Sequence, residues 1–160
     1  MKYYIAFIIL LIIYIYSYYN YPKKTKIIQT RMDGFNYNML AYRQPVIIDT
    51  ATVDIDSLPK KWFYLNLVKK FNITATNEEI WYDNKYKYTV LQPQDSGEII
   101  LYPASKKMNE GNPDPAETLL AINISKGQLI ILPFHWKYLV KIDVKCLGVD
   151  DIISYLTGNL

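Results

Sequence analysis

The sequence predicts a mainly β domain with one or two short helices, carried behind a single apolar helix. Three observations lead there. Residues 3–19 hold no charge. Several later stretches alternate apolar and polar residues with a period of two. Gly, Pro, Asn and Asp break the chain at short intervals, as turns between strands require. Beyond the apolar segment about 130 residues remain, the size of one ordinary domain.

The uncharged segment runs from Tyr3 to Tyr19 around a centre from Ile5 to Ile13 that includes Ile9 and Leu10. As a helix its seventeen residues would cover about 25 Å, a little under the roughly 30 Å hydrocarbon core of a bilayer. Tyr3 and Tyr4 bracket one end and Tyr14, Tyr16, Tyr18, Tyr19 and Tyr21 the other, where phenol rings suit the headgroup level. Residues 1–21 therefore read as a transmembrane anchor resting on Tyr3, Ile9, Leu10, Ile13 and Tyr19. A secretory signal peptide is the competing reading, but the segment ends in Tyr18-Tyr19-Asn20-Tyr21-Pro22 rather than in small residues. Lys23, Lys24, Lys26 and Arg31 follow the segment and only Lys2 precedes it, so the positive-inside rule places the domain in the cytosol. The sequons at Asn72 and Asn123 would matter only on the lumenal side.

Residues 22–44 read as a linker and extended arm with a turn at Asp33-Gly34, and residues 45–160 as the β domain. Pro45 to Ile48 is a short buried strand. Asp56-Ser57-Leu58-Pro59 resembles a helix start, and Leu58, Trp62, Leu65 and Val68 keep helical spacing to about Phe71 while Lys60, Lys61, Lys69 and Lys70 stay solvated. Tyr86, Tyr88 and Val90 then alternate with Lys85, Lys87 and Thr89, as in a half-buried strand. Glu98 to Tyr102 is a strand ended by Pro103. Met108 to Pro115 is a loop, and Thr118 to Ile124 and Gly127 to Leu132 are strands. From Phe134 to Cys146 the alternation predicts one strand with Phe134, Trp136, Tyr138, Val140, Ile142, Val144 and Cys146 inward. Asp150 to Leu156 closes the chain as a short helix.

The chemistry expected of this chain is sparse. A net charge of +3 from 18 basic and 15 acidic residues is too balanced for a nucleic-acid groove. One histidine and one cysteine cannot build a facial triad or a structural zinc site, and the lone Cys146 places no demand for an oxidising compartment. On opposite faces of one strand, His135 and Cys146 would form no nucleophile and base pair. The paired carboxylates Asp54/Asp56, Glu78/Glu79 and Asp150/Asp151 sit at turn or helix-end signals, where capping accounts for them. The glycines are scattered, so no phosphate loop is expected. The reading is of a non-enzymatic protein without cofactor or metal.

Several stretches, in order, resemble the cupin-like, Jumonji-type double-stranded β-helix family over about residues 44–147. Gln44 to Ile48 resembles its opening strand, Lys61-Trp62-Phe63-Tyr64-Leu65 its following helix, and Gly97 to Pro103 its strand ending in proline. Gly127-Gln128-Leu129-Ile130-Ile131-Leu132-Pro133-Phe134-His135-Trp136-Lys137-Tyr138 looks like the family's Gly-Asp-Leu-Leu-Phe-Ile-Pro, then Trp-Trp-His. In active members that last His is a metal ligand. Here Tyr138 takes its register and His135 falls three residues early, so these are degenerate metal-motif positions, and the family's His-x-Asp pair has no counterpart. The resemblance implies a jelly-roll-like domain without its iron site, kept for its shape and surfaces.

A catalytically empty β domain behind an apolar helix also resembles membrane-associated virion proteins of large DNA viruses, whose minor capsid proteins link shell and inner membrane. The expected function is structural, tethering a bilayer to coat or other structural proteins. The alternative is a membrane-tethered module whose barrel mouth takes a sugar or small metabolite among aromatics such as Trp81, Tyr88 or Tyr138. An oxygenase-like enzyme with an unorthodox metal site is the third and weakest reading.

Overall fold

The computed structural model describes residues 2–19, 25–49, 53–76, 78–103, 108–109, 112–113 and 119–157. In chain order they form α1 (Lys2–Tyr19), β1 (Ile28–Arg31), β2 (Val46–Asp49), α2 (Leu58–Lys61), β3 (Leu67–Ile73), β4 (Trp81–Asp83), β5 (Tyr88–Pro93) and β6 (Gly97–Tyr102). There follow β7 (Met108–Asn109), β8 (Asn112–Pro113), β9 (Leu120–Ile124), β10 (Leu129–Pro133), β11 (Lys137–Val140), β12 (Val144–Asp150) and α3 (Ile152–Thr157). Of the expected Met108–Pro115 loop, the described residues form the small β7/β8 hairpin, and Pro115 lies outside them, as does Thr118 at the start of the next expected strand.

Among the described residues ten strands make two sheets, one in the order β1-β2-β10-β5-β12-β3 and the other β4-β11-β6-β9. From β3 onward the chain passes back and forth between them, and all their pairings are antiparallel. This interleaved winding is that of a two-sheet jelly roll. One core lies between the sheets and includes Leu91, Leu101, Ile130, Leu132, Trp136, Tyr138 and Cys146. A second lies on the outer face of the larger sheet, where Leu40, Ile55, Leu58 and Phe63 cover Val46, Ile48, Val90, Leu129, Ile131 and Leu147.

That second layer corrects several expectations. With both faces covered, β5 and β10 are buried almost throughout, so a strand read as half-buried is central, and Thr89 on its expected wet face has no exposure. The extended arm is also more than a spacer, since β1 pairs in parallel with β2 and Leu40 plugs the second core.

The helix expected to reach Phe71 stops at Lys61. Residues 67–73 instead form β3, whose seven residues pair with β12 along its whole length. Leu65 and Val68 are consequently exposed rather than packed. Val68, Phe71 and Ile73 favour a strand over a helix, and an entire ladder of backbone hydrogen bonds with β12 outweighs the helical preference of Lys69 and Lys70.

The single strand expected from Phe134 to Cys146 is two strands in different sheets. Phe134 and His135 form the turn into β11, with His135 at φ 59°, and residues 141–143 turn the chain into β12. His135 and Cys146 therefore share no strand, and Leu139, placed on the wet face, is 2% exposed.

The transmembrane anchor is corrected as well. Among the described residues no helix is long and apolar enough to cross a membrane. Side chains of α1 are described from Tyr3 to Tyr16, about 21 Å of helix against the roughly 30 Å required. Tyrosines at 14 and 16 and the serine at 17 cut the purely apolar run back to Ile5–Ile13. What α1 does present is an apolar surface on nearly every side. Tyr3, Phe7, Ile9, Leu10, Ile13 and Tyr16 are at least half exposed, while Leu11, Tyr14 and Ile15 are half-buried. The Tyr14 hydroxyl donates to Asp151 Oδ2 at 2.7 Å. The side chain of Tyr19 is outside the described set.

Candidate functional site

At one mouth of the roll, strands from both sheets leave a cleft of about 330 Å³. The larger sheet supplies Phe71 from β3 and Thr89 from β5, and the smaller supplies Tyr82 and Asp83 from β4 and Tyr138 from β11; Asn84 and Tyr86 come from the β4–β5 connection. Four aromatic rings form two near-parallel pairs. Tyr82 and Tyr138 lie 5.5 Å apart at 25°, and Phe71 and Tyr86 5.8 Å apart at 27°. Tyr86 can lie flat because Gly148 is beneath it, where a Cβ would come within 2.7 Å of three ring atoms. Lys69, Lys85 and Asp83 edge the opening.

Asn84 fastens the mouth. It is 1% exposed, and its Nδ2 donates to the Leu132 and Pro133 carbonyls at 2.9 and 2.8 Å. Its Oδ1 accepts from the Thr89 hydroxyl at 2.6 Å and the Tyr86 N–H at 3.0 Å. The main chain adds two more bonds, Asn84 N–H to Trp136 O at 3.0 Å and His135 N–H to Asn84 O at 2.8 Å. Every hydrogen-bonding position of this buried amide is used, which ties β4, β5, β10 and the turn before β11 to one point.

Of the residues singled out from the sequence, Tyr138 belongs to this cleft, Tyr88 does not, and Trp81 packs elsewhere. Tyr88 lines a different cavity beside α1, and Trp81 meets Tyr102 edge-on with centroids 6.4 Å apart. The three do not form one pocket. The degenerate motif positions are separated too. Tyr138 points into the inner core, where burial, with the nearby Cys146 and Tyr82 adding to it, raises its phenol well above the ordinary range. It offers a neutral hydroxyl rather than a phenolate. His135 stands on the rim with Nδ1 3.6 Å from Asp83 Oδ1.

The remaining candidates are structural. Cys146 is buried, and desolvation pushes its thiol up to about 12, which makes it inert toward nucleophilic or metal chemistry. Asp54 caps the turn Ile55–Ser57 by accepting from Asp56 N–H. Asp151 caps α3 by accepting from Ser154 N–H at 2.7 Å. Among the described residues no three His, Cys, Asp or Glu side chains come together in a way that could hold a metal. Sequence reasoning missed Asn84 and the two ring pairs. The available signals were an Asn between two aromatic-rich strands, a common turn residue, and the alternation Trp81-Tyr82-Asp83.

The cleft therefore presents aromatic rings with hydroxyl and charged groups at its edge, a lining suited to a flat or sugar-like body. No protein-family model matches this chain, and no curated protein matches it significantly in sequence.

Proposed function

We propose that this protein is a non-enzymatic structural protein whose apolar N-terminal helix attaches it to a lipid bilayer, while the β roll docks against coat or other structural proteins. The observation that carries the reading is α1. A helix apolar on nearly all sides has no single stripe to bury against its own domain, and this one leaves ten large apolar side chains between Tyr3 and Tyr16 open. A helix apolar all round calls for apolar surroundings, which a bilayer supplies without a complementary groove. Lys23, Lys24 and Lys26 follow it in sequence, as suits anionic headgroups.

Among the described residues the two sheets end in the edge strands β1 and β3, and β4 and β9, any of which can add a strand from a neighbour. A minor capsid role, linking an inner membrane to a virion shell, is the specific form of the proposal. Flotation with liposomes tests its membrane half. The full chain is expected to float, and Ile9→Lys with Ile13→Lys is expected to sink it, because each places an ammonium in the apolar surface that meets the lipid. Flotation unaffected by both charges would end the reading.

The second reading is a tethered module binding a sugar or small metabolite. The paired rings of the mouth cleft favour it. Stabilisation in a thermal-shift screen of saccharides, lost in Tyr86→Ala, is its expected result.

A further inference from the structure

The mouth cleft is lined by polar groups that the fold itself does not use. Tyr138 is 3% exposed and lines the cleft, yet among the described residues its hydroxyl has no hydrogen-bond partner, although its ring packs against that of Tyr82. A phenol buried to this degree ordinarily bonds its hydroxyl, so this one is left for a group that enters. The hydroxyls of Tyr82 and Tyr86, half-buried in the same lining, are likewise without an internal hydrogen bond among the described residues.

Lysines edge the opening. Lys69 lies on β3 two residues before Phe71 and so on the same face of the strand, and Lys85 lies between Asn84 and Tyr86 in the β4–β5 connection. Both are exposed, and among the described residues neither ammonium has a carboxylate partner. That separates them from Lys70, Lys87 and Lys141, which are paired with Asp56, Asp151 and Glu98. Asp83 is the one carboxylate among the described lining residues and faces His135 Nδ1 at 3.6 Å.

Aromatic ring, hydroxyl and ammonium thus converge on one space of about 330 Å³. Rings offer apolar surface to the C–H groups of a sugar, phenol hydroxyls can donate to and accept from its hydroxyls, and the ammonium groups take an anion. Two ammonium groups against one carboxylate leave about one net positive charge. That suits a single carboxylate better than a phosphate monoester, which carries about −1.5 to −2. The space equals on the order of eleven water volumes, room for one sugar ring and not for a chain.

We propose that this cleft binds an acidic monosaccharide, a sugar ring with one carboxylate as in a uronic acid. Lys69 and Lys85 meet the carboxylate at the mouth, and the Tyr138 hydroxyl bonds a ring hydroxyl inside. This assignment deepens the ligand-binding reading above, on which it rests, and needs no bilayer.

The test is calorimetric titration of the full chain with glucuronate, glucose and glucose 6-phosphate. Lys69→Gln, Lys85→Gln and Tyr138→Phe are the variants, and Lys60→Gln on α2 is the control. Glucuronate is expected to bind most tightly of the three. Each cleft lysine variant should weaken it about threefold and leave glucose unchanged, and Lys60→Gln should change neither. Tyr138→Phe should weaken glucuronate and glucose alike, about fivefold, at an undiminished urea midpoint, since it removes a buried hydroxyl that the fold leaves unbonded. Equal affinity for glucuronate and glucose, insensitive to both lysine variants, would overturn the assignment and leave the ligand-binding reading standing. Tightest binding of glucose 6-phosphate would overturn it in the same way. Weakening of the same size by Lys60→Gln would mean diffuse attraction of basic residues, and a lower midpoint for Tyr138→Phe would mean a hydroxyl bonded within the fold; either overturns it. No binding of any of the three would do so too, and the thermal-shift screen then decides whether the ligand-binding reading goes with it.

Discussion

Replacing Asn84 by leucine keeps the volume of a 1%-exposed side chain but removes all four of its side-chain hydrogen bonds. The cost follows from what is stranded. The Pro133 carbonyl keeps a bond from Trp136 N–H at 3.3 Å, and the Leu132 carbonyl lies in a paired strand. The Thr89 hydroxyl, with no exposure, and the Tyr86 N–H lose their acceptor. Two such groups at about 1–3 kcal/mol each give a destabilisation of about 2–6 kcal/mol, a large share of the roughly 5–15 kcal/mol of a typical domain. Urea denaturation of the purified chain measures it as a lower midpoint at unchanged slope. Asn84→Asp separates the amide's donor role from its acceptor role, because it faces two carbonyls with a carboxylate while still accepting from Thr89 and Tyr86, and it should be at least as damaging. If Asn84→Leu fell within about 1 kcal/mol of wild type, the two groups would have to find water, and the mouth would not be held by this residue.

Two further outcomes follow from the same geometry. Gly148→Ala drives a methyl into the Tyr86 ring; it should cost about 1–3 kcal/mol and change the near-ultraviolet circular dichroism of the ring pairs, whereas an unaltered spectrum and midpoint would mean that Tyr86 does not rest on the glycine. Burial works to raise the Asp151 carboxyl, but its bonds from Lys87, Ser154 N–H and Tyr14 outweigh it and hold it well below the usual range. Its contribution is thus complete above the unfolded value of about 3.9 and is lost as the pH falls through the folded one. Asp151→Asn should therefore be less stable at neutral pH and lose less than wild type on acidification below about pH 4, and acid unfolding curves of the same shape for both would contradict this.

The legible parts of the fold were those where one local rule acted alone. Gly97 to Pro103 combined a glycine start, an apolar run and a proline stop, and β6 occupies Gly97–Tyr102. The short closing helix expected over Asp150–Leu156 is α3, Ile152–Thr157. Tertiary burial erased the signal elsewhere. Thr89 and Lys87 lent β5 the look of a half-wet strand, yet Thr89 is a buried partner of Asn84 and Lys87 reaches past the strand to Asp151. The run from Phe134 to Cys146 kept its alternation across two turns, because the inward residues of β11, Tyr138 and Val140, and of β12, Val144 and Cys146, all fall at even positions. Nothing local announces that residues 141–143 turn, since Lys141 is held by Glu98 at 2.7 Å and Asp143 by Ala75 N–H at 2.8 Å, both distant in sequence. The mouth cleft was half legible. Tyr138 was named from its motif register, whereas its partners Tyr82, Phe71 and Tyr86 are assembled by three separate strand pairings that no short window contains.

The measurement that bears most directly on a bilayer-to-assembly tether is cross-linking mass spectrometry on the intact native membrane or particle. Amine-reactive probes would report from exposed Lys60, Lys61, Lys69 and Lys70 on the roll. The account predicts dense cross-links from these lysines to one coat or structural protein, at fixed stoichiometry. Cross-links confined to the chain itself, from protein free in cellular membranes, would contradict the tether and favour the ligand-binding module.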